Sequence, residues 1–530
     1  MRRWNGWGDE STSMDLPQSA GAFLSQVVGT GQPLADTSLA QVIGSVPKSR
    51  LPEHPLVSYD AEERVRHAKG QSLPDYLAMR SGEVECFPDG VSFPENCQDV
   101  KDILAYAKTH NVELIPYGGG TSVAGHINPK HSQRAILTVD MSRMNQLLHL
   151  DENSQIATFG AGTPGPMVEA QLLARGYTLG HFPQSFELST IGGWVASRSS
   201  GQQSLRYGRI EQMFAGGNIE TFAGSLDVPT FPASSAGPDL RELLLGSEGR
   251  FGILTQVKVR VSKVADAEKF SVIFFPNWQA ASQFCKESVQ QRIALSMLRV
   301  SNAVETQTQL KLAGHENQIK WLERYLSIRG CADGKCMLTF GLTGSKQQIS
   351  ASKKQLNTVV KKYHGVNTGE MLGKKWQANR FHSPYLRDAL WQQGYVVDTF
   401  ETATDWGNVD ALMTTVEDKI RQGLKNIDEK VHVFTHLSHV YSQGCSLYTT
   451  YVYRNADSYQ ETLKRWQKLK HLASDTIVNN AGTISHQHGV GKDHAPYLHV
   501  EKGELGMKVL ENLVEHFDAK QQLNPGTLLE

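Results

Sequence analysis

Pro116-Tyr117-Gly118-Gly119-Gly120-Thr121-Ser122-Val123 decides the fold, because a short apolar run, residues 112–116, passes directly into three glycines and two hydroxyls. The run has the length of a strand and the glycines end it, so the stretch reads as a strand entering a turn. Glycine permits positive φ and leaves backbone N–H groups open to an approaching anion, to which Thr121 and Ser122 add donors. Three glycines after a strand also make an ordinary turn. Neither a Gly-x-Gly-x-x-Gly fingerprint nor a Walker pattern accompanies them.

Two later loops change the weight of the first. Ser189-Thr190-Ile191-Gly192-Gly193-Trp194-Val195-Ala196-Ser197-Arg198-Ser199-Ser200-Gly201, preceded by Pro183-Gln184-Ser185, alternates hydroxyls and glycines with apolar residues that can anchor the backbone. Gly246-Ser247-Glu248-Gly249-Arg250-Phe251-Gly252-Ile253 sets three glycines in seven positions just before another strand. Three such loops in order can cradle one extended ligand.

Around them, periodicity predicts helices at 97–110 and 166–175 and strands at 135–140, 155–159 and 253–261. Alternating short strands and helices indicate an α/β or α+β architecture, assigned here as α+β. Before residue 90 the chain is polar, with short helical patterns such as 60–69, and reads as an arm without a core of its own. Glycine thins out after Val264, where amphipathic patterns such as 277–291 begin. A strand pair at 432–453 and a helix at 457–479 precede Ser485-His486-Gln487-His488-Gly489-Val490-Gly491-Lys492. The expected organisation is a helical N-terminal arm (1–82), a two-subdomain module that carries the three loops (83–264), an α/β cap that shapes the substrate pocket (265–480) and a C-terminal segment returning to the loops (481–530).

Bulk properties exclude several classes. In 530 residues, 53 basic and 54 acidic side chains give a net charge of −1, which removes any global attraction to nucleic acid or an anionic membrane. Six scattered cysteines do not make a disulfide framework, and Cys331 and Cys336 lack the second pair a zinc site needs. The start, Met1-Arg2-Arg3-Trp4, is not followed by a signal-peptide core, and no run approaches ~18 apolar residues. The last residues are not a Ser-Lys-Leu address. A soluble, cytoplasmic protein is expected.

The three loops together with Pro183-Gln184-Ser185 resemble the FAD-binding module of the vanillyl-alcohol oxidase and p-cresol methylhydroxylase group. The resemblance implies non-covalent FAD, with pyrophosphate and flavin edge held by Pro116, Gly118, Gly119, Gly120, Thr121, Ser122, Pro183, Ser185, Ser189, Thr190, Gly192, Gly193, Trp194, Ser197, Ser200, Gly246, Glu248, Gly249, Gly252 and Ile253. Further motifs narrow it. Trp4-Asn5-Gly6-Trp7-Gly8, Phe400-Glu401-Thr402-Ala403 with Trp406, and His488-Gly489-Val490-Gly491-Lys492 look like the alkyldihydroxyacetonephosphate synthase family over nearly the whole chain.

That family's catalytic tyrosine falls on Tyr448, and its phosphate-holding arginine falls on Arg387, whose guanidinium fork suits a phosphate. Without the resemblance, both would be ordinary aromatic and surface residues. A tyrosine with pKa ~10 needs an electropositive site to act as a base, which His486, His488 and Lys492 are expected to supply. His436, His439, His486 and His488 could also suggest a metal. Related flavin dehydrogenases, however, have ligands where this chain has Tyr448 and Gln487, so no metal is assigned. Gln487 also replaces the middle histidine of the synthase pattern, and an amide cannot take up a proton. The implied function is exchange of the acyl group of acyl-dihydroxyacetone phosphate for a fatty alcohol. The substrate is a lipid-like phosphate, which allows peripheral membrane contact and a homodimer. The alternatives are a flavin oxidoreductase acting on a hydroxy acid or alcohol, and a flavoprotein that binds a ligand without turnover.

Overall fold

A computed structural model describes residues 1–314 and 316–529. The helix Cys97–His110 begins at Asn96, whose side chain accepts from Gln98 and Asp99 N–H, and ends at Asn111 in the left-handed conformation. It delivers the chain into the strand Glu113–Tyr117, which pairs in parallel with Ile136–Asp140 in a four-stranded sheet. The glycine loop hangs from the end of this strand.

A second, five-stranded antiparallel sheet runs in the order Leu147–Asp151, Ile156–Gly160, Ile253–Arg260, Phe214–Thr221, Gly224–Val228. The central strand Ile253–Arg260 alternates buried and half-exposed side chains over its second half, as one covered face requires. The four-stranded and five-stranded sheets share a boundary: Ile253 lies in the same apolar cluster as Leu114, Val139 and Leu523.

A third sheet of seven antiparallel strands starts at the short edge strand Val366–Asn367, beside Ala267–Phe275, and ends with the neighbours His432–Val440, Gly444–Arg454 and Tyr395–Asp405. Its apolar core takes in side chains from the helices Trp278–Gln290, Lys346–Lys362, Val409–Gln422 and Tyr459–Asn479, including Phe284, Leu356, Leu412 and Leu469. All six cysteines are free, and Cys331 gives its thiol to the Phe274 carbonyl. No helix among the described residues is long and apolar enough to cross a membrane.

The first ninety residues differ from expectation. Val42, Val65, Ala68, Met79 and Phe87 form a small buried cluster of their own, with Trp4 and Ile43 packed against it. Short helices separated by polar turns hid it, because each contributes only one or two apolar residues. The arm is also tied to the cap by charge. Asp388, buried in the helix Leu386–Trp391, accepts from Arg3 at 3.0 Å, Tyr76 at 2.8 Å and Arg80. A side chain on Gly6 would strike that carboxylate, and Gly8, at φ +75°, lies against Tyr385. Asp388→Ala removes the carboxylate that Arg3, Tyr76 and Arg80 share and leaves Arg80 with Asp36 alone, so it should cost about 1–3 kcal/mol of stability. In limited proteolysis the variant should be cut within residues 1–16 well before the parent protein; equal protection would contradict the tie.

Candidate functional site

The three glycine-bearing loops meet. A Cβ on Gly118 would collide with Thr190 Oγ1 and one on Gly119 with the Leu188 carbonyl, so the first loop lies directly on the second. Gly249, at φ +76°, brings the third loop against Pro116, where a Cβ would be 2.9 Å from the ring. Pro183 and Ser185 form the turn that delivers Ser189: Phe186 N–H donates to Pro183 and Leu188 N–H to Ser185. Thr190 caps the helix Ile191–Ser197, and Gly192 packs on Ala161. Ser197 returns its hydroxyl to the Gly193 carbonyl. Gly246 (φ +76°) lies beside Arg198, and Gly252 (φ +159°) lies on the Glu220 carbonyl.

Two expected cofactor residues act differently. Trp194 is 2% exposed in the core and gives its indole N–H to Ser189 at 2.7 Å, and Ile253 is buried in the sheet core, so both offer the loops only backbone. Glu248 is likewise engaged. It accepts from Val490 N–H at 2.5 Å and Gly491 N–H at 2.8 Å and pairs with His126 at 3.2 Å. Its task is to fasten the C-terminal segment over the first loop, where Ser122 Oγ bonds His126 Nδ1 at 2.6 Å. Lys492, expected near the tyrosine, is instead at this fastening, with its N–H on the Ala124 carbonyl. Burial and the charges of Lys130 and Lys69 push it down to about 7. A ligand threaded along these loops meets close-approach glycines and the buried Ser200 hydroxyl, which has no partner among the described residues. Such a lining suits the pyrophosphate of an FAD dinucleotide.

Tyr448, the expected catalytic side chain, comes from the cap sheet. Register places Glu401 and His436 directly opposite Tyr448 on the two neighbouring strands. Cross-strand partners share a face, so the three form a row. His436 stacks on the Tyr448 ring at 4.8 Å, and its Nδ1 meets Arg299 at 3.2 Å and Glu305 at 3.0 Å. His488 meets the same ring edge-on at 5.9 Å. Tyr448 donates to Thr399 Oγ1 at 3.1 Å.

His486, His488 and Lys492 do not give Tyr448 the electropositive pocket expected of them. Burial pushes its phenol up to about 12, with only partial relief from Thr399. Burial also lowers His488, against the pull of Glu401. His486 does not face Tyr448 at all: it bonds Tyr441 OH at 2.6 Å and lies 3.2 Å from Glu401. Burial takes it down to about 4. Glu401, itself disfavoured as an anion by burial, is held well below the usual carboxylate range by His486 and His439. Ligand atoms of Glu401, His439 and His486 fall within 4.8 Å of one another. Two of the four histidines weighed as metal ligands thus converge on a carboxylate that the sequence analysis did not count among them. Within this polar network His439 Nδ1 bonds Glu401 at 3.3 Å, while His439 Nε2 and His486 Nδ1 have no hydrogen-bond partner among the described residues.

Gln487 completes that network. Its amide donates to Glu401 Oε2 at 2.6 Å and accepts from Ser200 N–H at 3.2 Å, which joins cap, C-terminal segment and second glycine loop. Arg387 reaches the first loop in a similar way. Its Nη1 donates to the Gln71 carbonyl at 2.6 Å, and Gln71 N–H donates to the Ser122 carbonyl at 2.6 Å. Arg387 Nη2 pairs with Asp398 at 3.0 Å. Sequence reading missed Arg299, Glu305, Asp398 and Glu401 as site residues. The available signal was a lone charge inside an apolar strand, as in Met297-Leu298-Arg299-Val300 and Thr399-Phe400-Glu401-Thr402.

Two outcomes follow from this geometry. Gly119→Val, which drives a side chain into the Leu188 carbonyl, should leave the protein with far less bound FAD, read as the 450 to 280 nm absorbance ratio; undiminished flavin would exclude the loop as its cradle. Burial also keeps His181 at about 3 and His432 and His486 at about 4. Below pH ~6.5 the unfolded chain binds protons at these positions that the folded chain does not, so stability falls as pH falls. Between pH 7.5 and 5 each should remove roughly 1–2 kcal/mol, and His432→Gln should flatten the pH dependence of Tm.

Comparison with known proteins agrees with this architecture. Residues 88–226 match the FAD binding domain model, and residues 265–528 match the model for FAD linked oxidases, C-terminal domain. The alkyldihydroxyacetonephosphate synthase of Dictyostelium discoideum is 29% identical over 99% of this chain and 93% of its own length. That of Trypanosoma brucei brucei is 29% identical over 89% and 78%. A solved alkyldihydroxyacetonephosphate synthase superposes with a TM-score of 0.85 at 26% identity, covering 99% of this chain and 98% of that one. The chain belongs to the FAD-linked oxidases, as an FAD-dependent, alkyldihydroxyacetonephosphate synthase-like member of that family.

Proposed function

We propose that the protein exchanges the acyl group of an acyl-dihydroxyacetone phosphate for a fatty alcohol, releasing a fatty acid and leaving an alkyl ether. The carbon–oxygen bond to the acyl group breaks, one to the alcohol forms, and there is no net oxidation. The observation that carries this reading is the row His436, Tyr448 and Glu401, with Arg387 anchored through Gln71 to the FAD loop. Bound FAD supplies an electron-poor ring able to accept and return an electron pair. Tyr448 is the group placed to remove a proton from the substrate carbon and to return it later. Arg387 orients the phosphate. The rest of the network, Glu401 with His439, His486 and Gln487, fixes the wall against which Tyr448 and His488 are set.

The assigned division at 82, 264 and 480 fits this division of labour. The lipid substrate suggests peripheral contact with a membrane. The helix Glu316–Ile328 suits that role, since Trp321, Tyr325 and Ile328 are 71%, 44% and 78% exposed at spacings that share one face.

Incubation of FAD-loaded protein with acyl-dihydroxyacetone phosphate and labelled hexadecanol should give the alkyl ether and free fatty acid by mass spectrometry. Tyr448→Phe should lower the rate by roughly 10²–10⁴ while keeping its flavin. A product that retains the ester, or substrate-dependent bleaching near 450 nm with a hydroxy acid, would move the assignment to an oxidoreductase.

A further inference from the structure

The helix Tyr459–Asn479 brings a cation to this site that none of the interactions above employs. Trp466 and Lys470 are four residues apart and share a face. Trp466 Nε1 donates to Asp398 Oδ2 at 2.6 Å. The same carboxylate takes Arg387 at 3.0 Å and Tyr451 OH at 3.1 Å, so its acceptor capacity is largely used one turn before Lys470.

Lys470 is 9% exposed, yet no hydrogen bond or ion pair engages it among the described residues. Its charge is felt along the C-terminal segment. It opposes the burial that pushes the Asp493 carboxyl up to about 6, and it acts on His488 and His494. His488 is the ring set edge-on to Tyr448. Lys470 thus follows, one turn along the same helix face, the tryptophan that bonds the Asp398 of the Arg387–Asp398 pair. Lysine is almost never buried without a partner, because an unpaired charge in the interior is costly. The Lys470 ammonium is free to take an anion that arrives.

We propose that Lys470 and Arg387 together form the subsite for a phosphate monoester. This rests on the synthase-like reading above and adds a residue to it. Arg387 cannot carry a dianion alone: one nitrogen is committed to the Gln71 carbonyl, and Asp398 neutralises its charge. Lys470 supplies the second positive charge as a mobile point donor, while the guanidinium fixes orientation.

The test uses FAD-loaded wild-type, Lys470→Met and Lys470→Arg proteins, with dihydroxyacetone phosphate and inorganic phosphate as probes in calorimetry and thermal melts. Lys470→Met should bind dihydroxyacetone phosphate at least tenfold more weakly, Lys470→Arg should recover part of the loss, and FAD content and the flavin spectrum should not change. Removing an unpaired buried charge should hold or raise Tm without ligand, and added phosphate should raise Tm of the wild type but not of Lys470→Met. Unchanged affinity, no phosphate binding by the wild type, or a lost or shifted flavin band in Lys470→Met would overturn the subsite. Wild type that binds phosphate through Lys470 yet forms no ether would keep the subsite and refute the transferase. Ether formation with an unchanged KM for acyl-dihydroxyacetone phosphate in Lys470→Met would do the reverse.

Discussion

A single buried carboxylate organises the site. Glu401 is 2% exposed, and its partners come from two other parts of the chain: His439 on another strand of the same cap sheet, and His486 and Gln487 from the segment beyond the last cap helix. Stripping water from a carboxylate is costly enough that the anion persists only if these donors are all in place. The C-terminal segment is therefore drawn onto the cap sheet, and Gln487 passes the constraint to the second glycine loop through Ser200. The position of Tyr448, directly opposite Glu401 in register, is a consequence.

A second pair of carboxylates does for the substrate side what Glu401 does for the cofactor side. Asp388 gathers Arg3, Arg80 and Tyr76, and Asp398 gathers Arg387, Trp466 and Tyr451. Between them they draw the N-terminal arm, the helix bearing Arg387 and the long cap helix together. Removing one partner in such a group costs more than the pair contributes, because the remaining charge stays buried. The arm is thus part of the site although it holds none of the expected catalytic residues. Arg2 reaches the Gly119 carbonyl at 2.7 Å.

Local structure was readable from local signals. Asn96 and Asn111 bracket a helix whose ends, Cys97 and His110, follow from capping and periodicity. The glycine loops were legible for the same reason, since a positive φ or a close backbone contact is written into the residue itself. The charge network was not. Glu401, Tyr448 and His436 become neighbours only through strand order, a non-local property, and a lone Arg299 or Glu401 in an apolar strand carries no spacing that names its partner. The histidine cluster misled for a related reason. His486 and His488, two residues apart, face different partners, one toward Tyr441 and the other toward Tyr448. The arm's small core escaped notice because its apolar residues are spread over several short helices.

The central claim is that this flavin site serves group exchange with no net redox change. The most direct measurement is multiple turnover under strict anaerobiosis with no electron acceptor, following fatty-acid release against bound FAD. The account predicts that release continues well past one equivalent per flavin and that the 450 nm absorbance is intact when substrate is exhausted. Release that stops at one equivalent with the flavin left bleached would contradict it.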